Sequence, residues 1–473
     1  MLKPFLIFNF YFFIYKVPAS PKELGTKDVG KLLMNYAIPA VVAMTASSLY
    51  NIVDRIFIGH IGEGGSEGAL ALSGLAVTFP LMNLSAAFGA MVGVGGSTLM
   101  SVKLGQRDEK TAQHILGNVV TLNVILGVML AVLGLIFIDP LLYFFGASER
   151  SIPYAREYMF VILLGNAITH LYLGLNAALR AVGHPHLAMI ATIATVIVNS
   201  ILDPLFIFTL GLGIRGAAIA TILAQIVALT YVIIVFSNPK EPIHFERGIY
   251  GLKKRIVNNI LKIGVSPFCM QLCACLVVIL INKGLQTHGG DLAIAAYGIV
   301  NGITFLFVMV VMGICQGMQP IAGYNYGARK FDRVNLVLKY AIIYATVVMT
   351  ISFIVCEFFP HIPVSFFTKD EQLTKLSIDG MRLIVLVSPL VGFQIVTGHF
   401  FQSIGMAKKS IFLSVSRQLL FLVPFLLIFP GIWGTNGVWA SITASDAVTV
   451  ITAGAMLYHF YKTGGINKTE IDL

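Results

Sequence analysis

Gly105-Gln106-Arg107-Asp108 closes a long apolar run, and 222 residues later Gly327-Ala328-Arg329-Lys330 closes another. Gly183 is answered by Gly405 at the same spacing, and Gly213 and Gly216 by Gly434 and Gly437 at 221. An offset held this closely across four apolar segments is the mark of a duplicated unit. Each copy carries six such segments, an even number, so both enter a bilayer from the same side. The halves are then parallel repeats related by an axis along the membrane normal, with a central cleft between two lobes.

Composition puts the chain in a membrane. It is 57% hydrophobic and 11% charged with a mean hydropathy of +0.85, against roughly 25% charged residues in soluble domains. Spanning about 30 Å of hydrocarbon takes about 20 apolar residues in a helix. Twelve segments meet that need: 31–58, 69–101, 113–137, 153–180, 185–209, 214–236, 258–284, 291–322, 334–359, 375–404, 409–429 and 434–461. The expected fold class is therefore an all-α integral membrane protein, twelve transmembrane helices in two pseudo-symmetric six-helix lobes. Lys103, Arg107, Lys110, Lys253, Lys254, Arg255, Arg329, Lys330, Arg333, Lys408 and Lys409 gather in alternate loops, which sets both termini on the cytoplasmic side. The net charge of +10 is thus topology. It does not cluster with exposed aromatics as a nucleic-acid surface would.

The polar stretch from Ser237 to Lys262, with Pro239 and Pro242, divides the segments six and six. The expected organisation is an N-terminal cytoplasmic or interfacial segment (1–30), an N-lobe (31–236), a cytoplasmic linker (237–257), a C-lobe (258–461) and a cytoplasmic tail (462–473). The aromatic run from Phe5 to Tyr15 is too short to span and lacks a small-residue cleavage site, so it reads as an interfacial segment or as sequence ahead of the true start.

No G-x-x-x-x-G-K-[ST] phosphate loop occurs, and no soluble domain could hold one, so active transport must draw on an ion gradient. Paired acids with catalytic spacing, a zinc-ligand set and a nucleophile elbow are also absent, which argues against a membrane-embedded enzyme. Cys269, Cys273, Cys275, Cys315 and Cys356 lie in apolar segments and read as small packing residues.

A carboxylate in hydrocarbon costs at least about 2.5 kcal/mol, so each one is a functional hypothesis until something neutralises it. Asp54 lies late in the first segment. An ion pair with Arg55 is the plain alternative, but adjacent helix positions point about 100° apart and hold such a pair poorly. Asn199 and Asp203, at i and i+4, place an amide and a carboxyl on one face of the fifth helix. Pro204 follows, and a proline inside a helix frees a carbonyl four residues back, an oxygen ligand or a hinge; a kink with Asp203 bonded only to Asn199 is the plain alternative. Pro39 is a second helix-kink candidate.

The repeat offers a test. Aligning Pro39 with Pro267 puts Asp54 and Arg55 opposite Asn282 and Lys283, and the 222 offset puts Asn199 and Asp203 opposite Phe421 and Phe425. The second copy lacks these acids. A purely structural role would survive in both copies, so the coupling site belongs to the N-lobe. Arg417 and Asp446 read as a buried interhelical pair, and His170 and His399 as packing or singly bonded residues, with a proton relay as the alternative. Gln271, Asn282, Met312, Gln316 and Met318 are candidates for a pliable cavity in the C-lobe, where Met content suits adaptable apolar contacts; a lipid-facing surface would suit them equally.

At Asn51-Ile-Val-Asp-Arg-Ile-Phe-Ile-Gly-His-Ile-Gly, Ala178-Leu-Arg-Ala-Val-Gly-His-Pro and Asn199-Ser-Ile-Leu-Asp-Pro-Leu-Phe-Ile-Phe, the sequence resembles the multidrug and toxic compound extrusion (MATE) family. The likeness covers residues from about 25 to 462 and includes Gly213 to Thr221 and Phe401-Gln-Ser-Ile-Gly. In the prokaryotic DinF-like branch the resemblance implies an N-lobe cation site from a first-helix Asp, a fifth-helix Asn and Asp, and a sixth-helix Thr, matched here by Asp54, Asn199, Asp203 and Thr221. The NorM-like branch uses C-lobe acids; here the seventh and tenth helices offer Gln271 and His399 and no intramembrane acid, which favours the DinF-like pattern.

The resemblance implies a secondary active exporter of apolar, often cationic drugs or metabolites, running by antiport with H⁺ or Na⁺ at Asp54, Asn199, Asp203 and Thr221. It needs no cofactor. It works as a monomer among membrane lipids in the bacterial cytoplasmic (inner) membrane. The alternative is a flippase for lipid-linked oligosaccharides of the same superfamily, whose anionic cargo would want several basic residues where only Arg55, Arg382 and Arg417 are available.

Overall fold

The computed structural model describes residues 21–64 and 66–465; the Phe5 to Tyr15 run and the end of the tail lie outside them. The described residues are helical nearly throughout. Helix α1 is Val29–Gly59 and stays helical through Pro39. It is followed by α2 (Ser66–Gly105), α3 (Glu109–Ile136) and the short α4 (Ile138–Phe144). Then come α5 (Ile152–Leu164), α6 (Asn166–Ala181), α7 (Pro185–Pro204) and α8 (Gly213–Phe236).

The helical stretch Lys254–Gly327 is two helices, α9 (254–289) and α10 (291–327), broken at Gly290 with φ 64° and ψ −161°. Only glycine adopts that backbone readily. The remaining helices are α11 (Phe331–Phe358), α12 (His361–Ser365), α13 (Glu371–Val385), α14 (Ser388–Ser403), α15 (Ala407–Val415), α16 (Val423–Trp433) and α17 (Thr435–Lys462).

Nine of the described helices are long and apolar enough to cross a membrane, and two bent pairs, α5 with α6 and α13 with α14, bring the number to eleven. Division at Gly290 makes twelve. Where unbroken helices were expected over 153–180 and 375–404, each span is two helices bent by 55°. The surface is inverted relative to a soluble protein: Ile125, Val128, Val132 and Ile136 line an exposed face of α3. An apolar stripe of that size suits contact with lipid.

The duplication is written in the backbone. Arg107 and Arg329 both adopt left-handed φ, 60° and 56°, which is uncommon for residues with a side chain. Gly183 and Gly405 (φ 106° and 78°) and Gly213 and Gly434 (φ 54° and 58°) pair in the same way. The bent spans match too. Asn166, first residue of α6, donates to the Gly127 carbonyl at 3.1 Å, and Ser388, first residue of α14, donates to the Met349 carbonyl at 3.4 Å. Both donors and both acceptors are 222 residues apart.

The chain divides into two compact units. Unit 1 holds Ala46–Gly264 with 21–27, and unit 2 holds Asp28–Thr45 with 265–465. In unit 1 the polar stretch after α8 is strapped along α3. Asn118 donates to the Gly251 carbonyl (3.1 Å) and accepts from the Lys253 amide (3.0 Å), Thr121 donates to the Tyr250 carbonyl (2.8 Å), and Gln113 exchanges bonds with the His244 backbone. Ile243 and Ile249 are buried beneath the strap. The start of α9 packs into unit 1 at glycine: a Cβ at Gly95 would strike the Ile260 carbonyl, and one at Gly264 the Met91 carbonyl. In unit 2, Gly313 and Gly317 lie equally close to the α1 backbone at Val41 and Ala37.

Candidate functional site

All four residues expected at the coupling site lie together inside unit 1. Asp54 comes from α1, Asn199 and Asp203 from the last turns of α7, and Thr221 from α8; all four are buried. Helical spacing brings Asn199 and Asp203 onto one face, where the Asn199 amide donates to Asp203 Oδ1 at 3.2 Å and to Thr221 Oγ1 at 3.3 Å. Thr221 in turn donates to the Ala217 carbonyl at 3.0 Å. Directly after Pro204 the helix widens into a π-turn, Leu205–Thr209. Such turns are rare and gather at functional sites.

The carboxyls of Asp54 and Asp203 are near neighbours inside the cluster. Two carboxylates repel at close quarters, so the pair is stable with a shared proton or a bound cation. Among the described residues no donor group reaches Asp54 Oδ1, Asp203 Oδ2 or Asn199 Oδ1, all of them buried. Arg55 does not neutralise the pair. It is exposed and lies over the Phe79 ring, 5.4 Å from its centroid, while Asp54 points inward. Adjacent positions on a helix diverge, as the geometry of α1 requires.

Two tyrosines complete the cluster, and sequence reasoning missed both. Tyr50 sits one turn before Asp54 and shares a 3.2 Å bond between its hydroxyl and that of Thr221. The i, i+4 spacing to Asp54 could have flagged it. Tyr158 of α5, 2% exposed, lies near Thr221 and the two acids; nothing in its local sequence marks it. The site therefore offers two carboxyls, one amide oxygen and three hydroxyls, all hard oxygen ligands for a proton or a small cation. Among the described residues no group of three or more His, Cys, Asp or Glu side chains could hold a metal ion, so neutral oxygens would have to finish any cation shell.

The other candidates are scattered. In unit 2, Gln316 lies 3.3 Å from Met44 Sδ; Gln271, Asn282 and Met312 are half-buried, and Met318 is fully buried. Opposite the acid site in the repeat, Phe425 stacks on Phe429 at 4.9 Å. His170 is buried and contacts Ser85 Oγ at 3.2 Å. Arg417 pairs with Asp446 at 2.8 Å. The five cysteines are free thiols. A wide-open cleft of about 470 Å³ beside α12 and α13 is lined by His361, Lys369, Glu371 and Asp379, and none of the expected site residues borders it.

The family described as MatE matches residues 39–205 and 264–428. The multidrug export protein MepA of Staphylococcus haemolyticus (strain JCSC1435) is 26% identical over 444 residues, covering 94% of this chain and 96% of that protein. MepA of Staphylococcus aureus (strain MSSA476) is 25% identical over 430 residues, 91% of this chain and 94% of that one. Among solved structures, the outward-facing conformation of a multidrug resistance MATE family transporter of the MOP superfamily superposes with a TM-score of 0.87 at 27% identity, covering 94% of this chain and 98% of that one.

Proposed function

From the premise that this chain belongs to the MATE family, multi-pass membrane transporters and not enzymes, we propose that it exports small apolar, often cationic compounds by antiport with H⁺ or Na⁺. The observation that carries the reading is the pair Asp54 and Asp203: neighbouring buried carboxyls to which, among the described residues, no basic side chain is bonded, each with an unpartnered oxygen and with the unpartnered Asn199 oxygen beside them. A site with surplus negative charge at membrane depth is stable when a cation enters and unstable when it leaves. That difference is the coupling free energy an antiporter needs. Asn199, Thr221 and Tyr50 supply neutral oxygens to Na⁺, or hydrogen bonds that position the proton-bearing carboxyls.

Gln271, Asn282, Met312 and Gln316 are proposed to face the exported compound in unit 2, whereas Met318, with no accessible surface, packs behind them; Pro39 and Pro204 are proposed to permit bending of their helices. The protein would work as a monomer among the lipids of the bacterial cytoplasmic membrane. The test is ethidium efflux from proteoliposomes with pH and Na⁺ gradients imposed separately. One gradient is expected to drive efflux, and Asp54→Asn at normal expression is expected to abolish it; undiminished efflux in that variant would sink the proposal.

A further inference from the structure

The second intramembrane charge constellation lies in unit 2 and is built differently. Arg417, in the π-turn Ser416–Leu422 between α15 and α16, donates through Nε to Asp446 Oδ1 of α17 at 2.8 Å. Ser445 Oγ donates to the Arg417 carbonyl at 2.9 Å, so side chain and backbone are both tied to α17. Tyr297 of α10 stands near the guanidinium, and its ring packs on Trp439 at 5.9 Å. The two members differ in access: the Asp446 side chain is 8% exposed and that of Arg417 31%.

Both residues fall in the middle third of their spans, 407–433 and 435–462. A guanidinium at that depth is costly against lipid tails, so its exposed edge belongs in a water-filled cleft. The Nε bond occupies one of five N–H groups. Among the described residues no other acceptor bonds the guanidinium. Asp446 thus cancels the charge and holds the plane, leaving the Nη edge to meet a planar acceptor with two parallel bonds.

The pair also occurs once. The offsets that relate the halves put Thr195 and Gln225 of unit 1 opposite Arg417 and Asp446. A device needed only to hold a span together would be expected in both copies. The acid pair of unit 1 invites a cation, whereas a neutralised Arg with free donors invites an anion.

Resting on the exporter reading above, we propose that Arg417, oriented by Asp446, is the anchor for a carboxylate carried by exported aromatic compounds. The chemistry recognised is a planar oxyanion attached to an apolar ring system. Asp446 does not touch the compound; it is a positioning residue.

Rhodamine 110 and rhodamine 123 share one fluorophore and differ in a free benzoate against its methyl ester. Their binding to the purified full-length protein in lipid nanodiscs, read by fluorescence anisotropy, gives a ratio of Kd values for ester over acid. In the wild type the acid is expected to bind about tenfold tighter, the size of a charge-assisted bidentate contact. Arg417→Gln/Asp446→Asn, which leaves no unpaired charge, is expected to bring that ratio to near one. Arg417→Lys, which keeps the charge without the fork, is expected to recover only a small part of the preference and covers the case in which the double variant fails to fold. A ratio near one in the wild type, or one unchanged in the variants, overturns the proposal. Binding needs no gradient, so a transporter that proves uncoupled fails the exporter reading and leaves the ratio intact, whereas gradient-driven efflux with an unchanged ratio fails the anchor alone.

Discussion

Tyr50 and Thr221 share a hydrogen bond, hydroxyl to hydroxyl at 3.2 Å, that ties α1 to α8 beside the two acids. Thr221 keeps its bonds to Asn199 and Ala217 if that partner is lost, so the contact tunes the cluster without building it. Tyr50→Phe is expected to lower ethidium efflux by less than about tenfold, the worth of one neutral hydrogen bond of about 0.5–1.5 kcal/mol. Loss as complete as that of Asp54→Asn would show that the hydroxyl is itself a ligand.

The proposed coupling role would place Asp203 at the expense of stability. A buried carboxyl beside another carboxyl is a liability in the resting protein, and an amide of the same shape removes it. Asp203→Asn is expected to stabilise the folded protein by about 1–2 kcal/mol while abolishing efflux. Thermal unfolding in detergent, followed by tryptophan fluorescence, reads the first effect. A lower Tm in this variant would mean that Asp203 is a structural partner of Asn199 and nothing more.

Gly264 and Gly95 allow α9 and α2 to touch backbone to backbone, and each leaves no room for a Cβ. Small residues at such crossings let membrane helices approach closely. Gly264→Ala and Gly95→Ala are each expected to destabilise unit 1 by about 1–3 kcal/mol, the usual cost of overpacking. Gly251→Ala, where nothing lies within 4 Å of the new methyl, serves as the control, and its Tm is expected to match wild type.

Asp108 caps α3 outside the membrane, accepting from the Thr111 amide at 3.0 Å. Burial pushes its carboxyl up, but the hydrogen bonds from Thr111 and the Lys103 ammonium outweigh this and hold it below the usual carboxylate range. A group lowered by folding stabilises above its unfolded pKa of about 3.9 and loses that contribution as pH falls through the folded value. The Tm gap between wild type and Asp108→Asn is therefore expected to be open at pH 7 and to close below about pH 4. A gap that stays constant across the range would assign the whole effect to the hydrogen bond.

The amino-acid sequence carried the architecture because its signals are repeated. Apolar runs, alternating loop charge and glycines at 221 or 222 residues each report the same twelve spans, and the left-handed Arg107 and Arg329 show why the motif recurs. Asp54, Asn199, Asp203 and Thr221 were legible since a polar group in an apolar run stands out against its neighbours. Tyr158 was not, because tyrosine is common in membrane helices and its partners come from three other segments. The bends after Leu164 and Val385 were also missed. Gly165 at the first break and Pro389 just after the second are the local signals that could have marked them, whereas the capture of a carbonyl on another helix, by Asn166 or Ser388, is a tertiary event.

Those two captures differ in depth of embedding, which leads to a graded expectation. Asn166 donates to Gly127 and also accepts from Ser85 at 2.6 Å, within reach of His170. Ser388 makes the single longer bond to Met349. Removing the Asn166 amide breaks two bonds at once, each worth about 0.5–1.5 kcal/mol, and leaves a hole in a buried contact, although Ser85 keeps His170 and Gly127 keeps its helical bond. Asn166→Ala is therefore expected to cost several times the stability lost in Ser388→Ala, for which about 0.5–1 kcal/mol suffices. Thermal unfolding of the two variants side by side gives the comparison. Equal losses would mean that the bends are set by helix packing around them and that the two polar captures merely follow.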